Sequence, residues 1–143
     1  MTIKRSGSAL WSGTLKDGKG SVSTDSGVLD KTQYGFNTRF ADGPGTNPEE
    51  LIAAAHAGCF TMAVSGTLGE AGMTASSMET TATVSLEKVD GGFAITAVHL
   101  NLVAVIPGAN KAAFEAAAMK AKQNCPVSKL LNATITLDAR LEP

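Results

Sequence analysis

One segment constrains the fold of this chain more than any other. At Asn47-Pro48-Glu49-Glu50 the sequence carries every sign of a helix start. Asn47 can cap the first free N–H groups, Pro48 stands where no N–H is needed, and two acids occupy the first turn. Asn47 with Glu50 three residues on has the spacing of a capping box. The following stretch is rich in alanine, apolar on nearly all sides, and meets Gly69 and Gly72. This predicts a central, buried helix from Pro48 to about Glu70.

Shorter elements surround it. Residues 8–14 and 19–23 alternate weakly and predict two strands joined by the turn Lys16-Asp17-Gly18. Residues 35–40 read as a further extended piece, and residues 42–47 as a loop. Residues 80–88 and 93–105 read as a hairpin about Asp90-Gly91-Gly92. Asn110 caps a second helix over 111–122, with Ala113, Phe114, Ala117 and Ala121 on its apolar face. Asn124-Cys125-Pro126 breaks it and opens a short helix over 127–131. Residues 133–141 alternate strictly and close a sheet with Ile135, Leu137, Ala139 and Leu141 on one face. The order is that of an α+β fold, read as a single domain over 1–143.

Composition narrows the function. Apolar residues make up 43% of the chain and the net charge is −1, with no basic run. That argues for a globular protein and against nucleic acid or an anionic membrane surface as the main partner. The longest apolar run, residues 51–64, is too short to span a bilayer. The first ten residues lack the apolar core of a signal peptide, so the expected compartment is the cytoplasm. Two histidines and two cysteines, all well spaced, make no zinc motif, and the glycines form neither a phosphate loop nor a dinucleotide fingerprint. No metal or cofactor is expected.

The two cysteines are therefore packing groups or redox groups. Cys59 falls mid-helix, where a thiolate needs a nearby cation to form near neutral pH. Cys125 precedes Pro126 near the start of the short helix, where free N–H groups favour a thiolate. Arg39, flanked by Phe36 and Phe40, is either a surface group lying on aromatic rings or a fixed charge for a thiolate or peroxide oxygen. Helical geometry separates the two acids. Glu50 points about 180° away from Cys59, whereas Glu49 points about 80° away, so Glu50 suits the cap and Glu49 suits a shared site. Ten residues make about 15 Å of rise, so either the helix bends or Glu49 serves the Cys59 of a partner subunit, and the second is favoured. His56 is either a hydrogen-bonded core histidine or the base of a Cys–His hydrolase. His99 has no evident partner, and Met62, Met73 and Met78 read as core filler.

The run Asn47-Pro48-Glu49-Glu50-Leu51 leading into Ala53-Ala54-Ala55-His56-Ala57-Gly58-Cys59-Phe60 resembles the OsmC/Ohr family of peroxiredoxin-like proteins. So does Asn124-Cys125-Pro126-Val127-Ser128. The Trp11 region, residues 24–40 and the hairpin at Asp90-Gly91-Gly92-Phe93 resemble its osmotically inducible protein C branch. The resemblance implies an intertwined homodimer with sites at the interface. It also implies cofactor-free reduction of organic hydroperoxides in oxidative or osmotic stress, and an external dithiol reductant of lipoyl type. It places the peroxidatic cysteine at Cys59, the resolving one at Cys125, the glutamate at Glu49 and the arginine at Arg39. Lys16-Asp17-Gly18-Lys19 supplies no arginine where the organic-hydroperoxide-resistance branch carries one, and Gly58 stands where the family has alanine. Three rivals remain: a redox sensor with slow peroxide reduction, the hydrolase, and a structural domain with inert thiols.

Overall fold

A computed structural model describes residues 1–143. The elements run β1 (Gly7–Ser12), β2 (Lys19–Thr24), β3 (Thr32–Tyr34), α1 (Phe36–Phe40), α2 (Pro48–Glu70), β4 (Ser77–Val89), β5 (Gly92–Val105), α3 (Lys111–Asn124), α4 (Pro126–Leu130) and β6 (Thr134–Glu142). The chain divides into two compact units, Met1–Leu51 and Ile52–Pro143. The expected α+β class holds, with one three-stranded sheet in each unit.

The first unit is the antiparallel meander β1-β2-β3. Gly20 faces Trp11 on one side and Tyr34 on the other, and the two rings lie 5.6 Å apart across it. A Cβ at Gly20 would come within 2.5 Å of the Trp11 ring and 2.6 Å of Tyr34. The glycine is thus the seat of both aromatics. Residues 35–40 are not extended as the sequence predicts: Phe36–Phe40 is a short helix. The Thr38 hydroxyl accepts from Gly35 N–H at 2.8 Å and donates to Gly35 O at 2.9 Å. A turn closed on itself in this way needs no hydrophobic period to announce it.

The start of α2 is built as its sequence predicts, with one change. Asn47 Oδ1 accepts from Glu50 N–H at 2.7 Å. The Glu50 carboxylate, rather than reaching back to Asn47, accepts from the Thr46 hydroxyl at 2.7 Å. Asn47 Nδ2 donates to Thr38 O at 3.0 Å, tying the cap to α1.

The second unit holds the core. β4 and β5 pair antiparallel with a bulge at Ser85/Leu86, and β6 lies parallel to β5. A parallel return requires a crossover, which α3 and α4 supply. Val98, Leu100, Leu102 and Ala104 of β5 face Phe114, Ala117, Ala118 and Ala121 of α3 in one cluster, with the predicted face of β6 packed beside them. From α2 this cluster takes Phe60, Val64 and Leu68. Each large side chain so buried contributes about 1.5–3 kcal/mol.

Burial of α2 is one-sided, against the expectation of burial all round. His56, Phe60, Val64 and Leu68 form the buried stripe, while Ala54, Ala55, Gly58, Met62, Ser65, Gly66 and Gly69 are exposed. Met62 is 79% exposed, so it is no core filler, whereas Met73 and Met78 do pack against the core. At 23 residues, with an 18-residue window of mean hydropathy 1.5, α2 is long and apolar enough to cross a membrane by length and composition, longer than the run weighed in the sequence. Core helices of soluble folds share those properties, but only 22% of the apolar window is buried here, along the stripe from His56 to Leu68. The helix ends on Gly72, at φ +75°, with Met73 N–H bonded to Leu68 O at 2.8 Å.

Candidate active site

The second unit brings the two cysteines together. Cys125 is the residue between α3 and α4, capping the shorter helix. It is fully buried, and its N–H is bonded to Ala121 O at 2.9 Å. Its sulfur lies 2.8 Å from Cys59 Sγ, within hydrogen-bond reach. Both are free thiols.

The Cys59 environment pulls in two directions. Burial pushes its thiol above the usual range, and so do the hydrogen bond and charge of Cys125. The Val127 N–H, bonded to the Cys59 sulfur, pulls it back down. The free N–H groups of α4, assigned to Cys125 on sequence, thus act on Cys59 through Val127.

His56 Nε2 lies 2.8 Å from Ser128 Oγ. Both residues are buried, and His56 Nδ1 is enclosed with no partner in the chain. Burial lowers the pKa of His56, since an imidazolium would leave a second N–H unpaired. The hydrolase pairing gains no support, because the bonded nitrogen of His56 faces Ser128. Ser128 was missed on sequence. The signal available was its place three residues after Cys125, one turn along the same helix face. His99, read as partnerless, bonds Thr136 Oγ1 at 2.6 Å and Asp138 Oδ2 at 3.1 Å across β5 and β6.

The first unit brings Arg39 to Glu49. Arg39 Nε donates to Glu49 Oε1 at 2.9 Å, and its guanidinium carbon lies 5.6 Å from the Phe40 ring centre. The surface reading of Arg39 holds, since it lies on an aromatic ring, and a carboxylate holds it as well. Glu49 is 9% exposed, and its Oε2 is buried without a partner in the chain. Glu50 is occupied in the cap, so the two acids divide as their angles on the helix require.

A family model described as OsmC-like protein matches residues 41–140, a span that carries Glu49 and both cysteines. The chain belongs to the OsmC-like protein family. Among curated relatives in the family, it is 57% identical over 142 residues to peroxiredoxin OsmC of Escherichia coli (strain K12), covering 99% of each chain. It is 31% identical over 121 residues to the organic hydroperoxide resistance protein of Xanthomonas axonopodis pv. citri, covering 84% of this chain and 83% of the other. Among solved structures, the organic hydroperoxide resistance protein OhrB of Bacillus subtilis superposes with a TM-score of 0.69 at 27% identity, over 96% of this chain and 98% of the other. The OsmC-like protein of Mycoplasma pneumoniae, at 15% identity and a TM-score of 0.77, shares the fold.

Proposed function

We propose that this chain is a cysteine-based peroxidase that reduces organic hydroperoxides to alcohols. The observation that carries the reading is the contact of two free thiols, 2.8 Å apart, one of them on a helix cap. The relatives named for peroxiredoxin activity and for organic hydroperoxide resistance support the substrate class.

In this reading the Cys59 thiolate attacks the distal peroxide oxygen. The O–O bond breaks, the alcohol leaves with a proton, and Cys59 becomes a sulfenic acid. Cys125 then displaces hydroxide from that sulfur as the disulfide forms. An external dithiol, of lipoyl type in our proposal, restores both thiols in the cytoplasm. Arg39 is the cation that the raised Cys59 thiol requires, and Glu49 orients it.

The working form is a homodimer. Glycines at 58, 66 and 69 each cost a helix about 1 kcal/mol, and a Cβ at any of them would meet nothing within 4 Å in this chain. Their use is close approach by a second helix. The unpaired Glu49 Oε2 and the helical rise between Glu49 and Cys59 fit a site completed by the second subunit.

Intact mass after one equivalent of cumene hydroperoxide tests the reading. The reduced protein should lose about 2 Da within seconds as the disulfide forms, and Cys59→Ser should not. Oxidation at the rate of a free thiol would instead favour a redox sensor. Full turnover in Cys59→Ser would overturn the assignment.

A further inference from the structure

His56 and Ser128 take no part in the proposed cycle, yet they form a buried hydrogen bond between the two helices that carry the thiols. Their placement mirrors that of the cysteines. His56 lies three residues before Cys59 on α2, and Ser128 three residues after Cys125 on α4. Three residues is close to one helical turn, so each member of the pair sits about one turn from a thiol. The helices are thus joined at two neighbouring points, His56–Ser128 and Cys59–Cys125, both spanning 2.8 Å.

The two points differ in chemistry. The sulfur contact is remade at every stage of a redox cycle. The imidazole–hydroxyl bond involves no redox group. α4 has five residues, too few to hold a helix by itself, so its position depends on what it touches. Its N-cap is Cys125. Whatever fixes α4 fixes the second thiol.

We propose that His56 and Ser128 are positioning residues for disulfide closure, a clasp that keeps Cys125 at the Cys59 sulfur once Cys59 has been oxidised. The inference rests on the peroxidase reading for the species that Cys125 attacks, and on the geometry for the clasp. In the step it serves, the Cys125 sulfur attacks the Cys59 sulfenic sulfur and an S–S bond forms. The Cys59 S–O bond breaks, and the hydroxyl leaves with the Cys125 thiol proton as water. The peroxide has already supplied the oxidising equivalent. Attack requires a sulfur held in line, which is where a fixed helix gains rate over a mobile one.

The buried, unpartnered Nδ1 also assigns the bond its direction. A neutral ring that donates through Nε2–H leaves only a lone pair enclosed at Nδ1, the lesser penalty. Gln at position 56 places an amide N–H near Nε2 and can keep the bond. Leu cannot, and Ser128→Ala removes the acceptor.

Two measurements on the reduced protein separate the clasp from the reading it serves. The first follows cumene hydroperoxide by stopped flow, with sulfenic acid trapped by dimedone and weighed. In Ser128→Ala and His56→Leu, Cys59 oxidation should stay within about twofold of wild type while closure slows at least about tenfold, so the dimedone adduct accumulates. His56→Gln should restore closure, and the double variant should be no slower than either single. The second uses diamide, which joins two thiols without a sulfenic acid, and Ser128→Ala should again close more slowly. Wild-type closure rates in Ser128→Ala with both oxidants would overturn the clasp and leave the peroxidase reading standing. A wild-type protein inert to hydroperoxide, yet closed by diamide faster than Ser128→Ala, would leave the clasp standing without that reading. Thermal unfolding identifies any variant that fails to fold, and Ser128→Ala, the smallest change, decides the question if His56→Leu does so.

Discussion

Burial and the Cys125 thiol both hold Cys59 in its protonated form, and a single backbone N–H from Val127 opposes them. A thiol held above its usual range forms thiolate only at high pH, so its reactivity falls as pH falls through that raised value. A peroxidatic cysteine working near neutral pH therefore needs a positive charge from elsewhere, and the proposal gives that part to Arg39. Arg39→Met should move the pH midpoint of Cys59 alkylation by iodoacetamide upward by about one pH unit or more. An unchanged midpoint would remove Arg39 from the role. At this scale the sequence was informative where chemistry is scarce. Two cysteines, few arginines and the angle between Glu49 and Glu50 singled out four residues, which the structure joins as two contacts. Ser128 stayed hidden because its partner lies 72 residues away and a place one turn after Cys125 does not by itself mark a serine as buried.

Local chemistry also decides which elements could be read in advance. The start of α2 was legible to the residue because Asn47, Pro48 and two glutamates each act within one turn. α1 was not, because it is held by one hydroxyl folding back on Gly35 rather than by an apolar face. The one-sided burial of α2 was also out of reach, since an all-apolar surface does not say which side meets the same chain. Asn47 should matter more than an ordinary cap. It holds Glu50 N–H through Oδ1 and the Thr38 carbonyl through Nδ2, whereas Asn110 holds Ala113 N–H alone. Asn47→Ala should cost about 1–2 kcal/mol in urea unfolding, and Asn110→Ala about 1 kcal/mol or less. Equal costs would mean that the Thr38 bond contributes nothing.

The exposed ridge of α2 is a property of the whole molecule, since its glycines approach nothing in this chain. Gly58, Met62 and Gly66 lie four residues apart on one ridge, and all three are exposed. Met62→Glu sets a charge on that ridge without removing a core contact. If the proposed dimer forms through this face, the wild type should sediment as a dimer and the variant as a folded monomer. A dimer that persists unchanged would place the interface elsewhere. The parallel seating of β6 against β5 has a consequence for how the protein is made. The α3–α4 crossover that delivers Cys125, and the strand that completes the sheet, are synthesised after Cys59 and after the rest of the sheet. Cys125 follows Cys59 by 66 residues, which at ribosomal speed is an interval of roughly 3–13 s. Throughout that interval the nascent chain carries a Cys59 with no second thiol to face it, so an oxidant met then would find one thiol where the finished fold offers two.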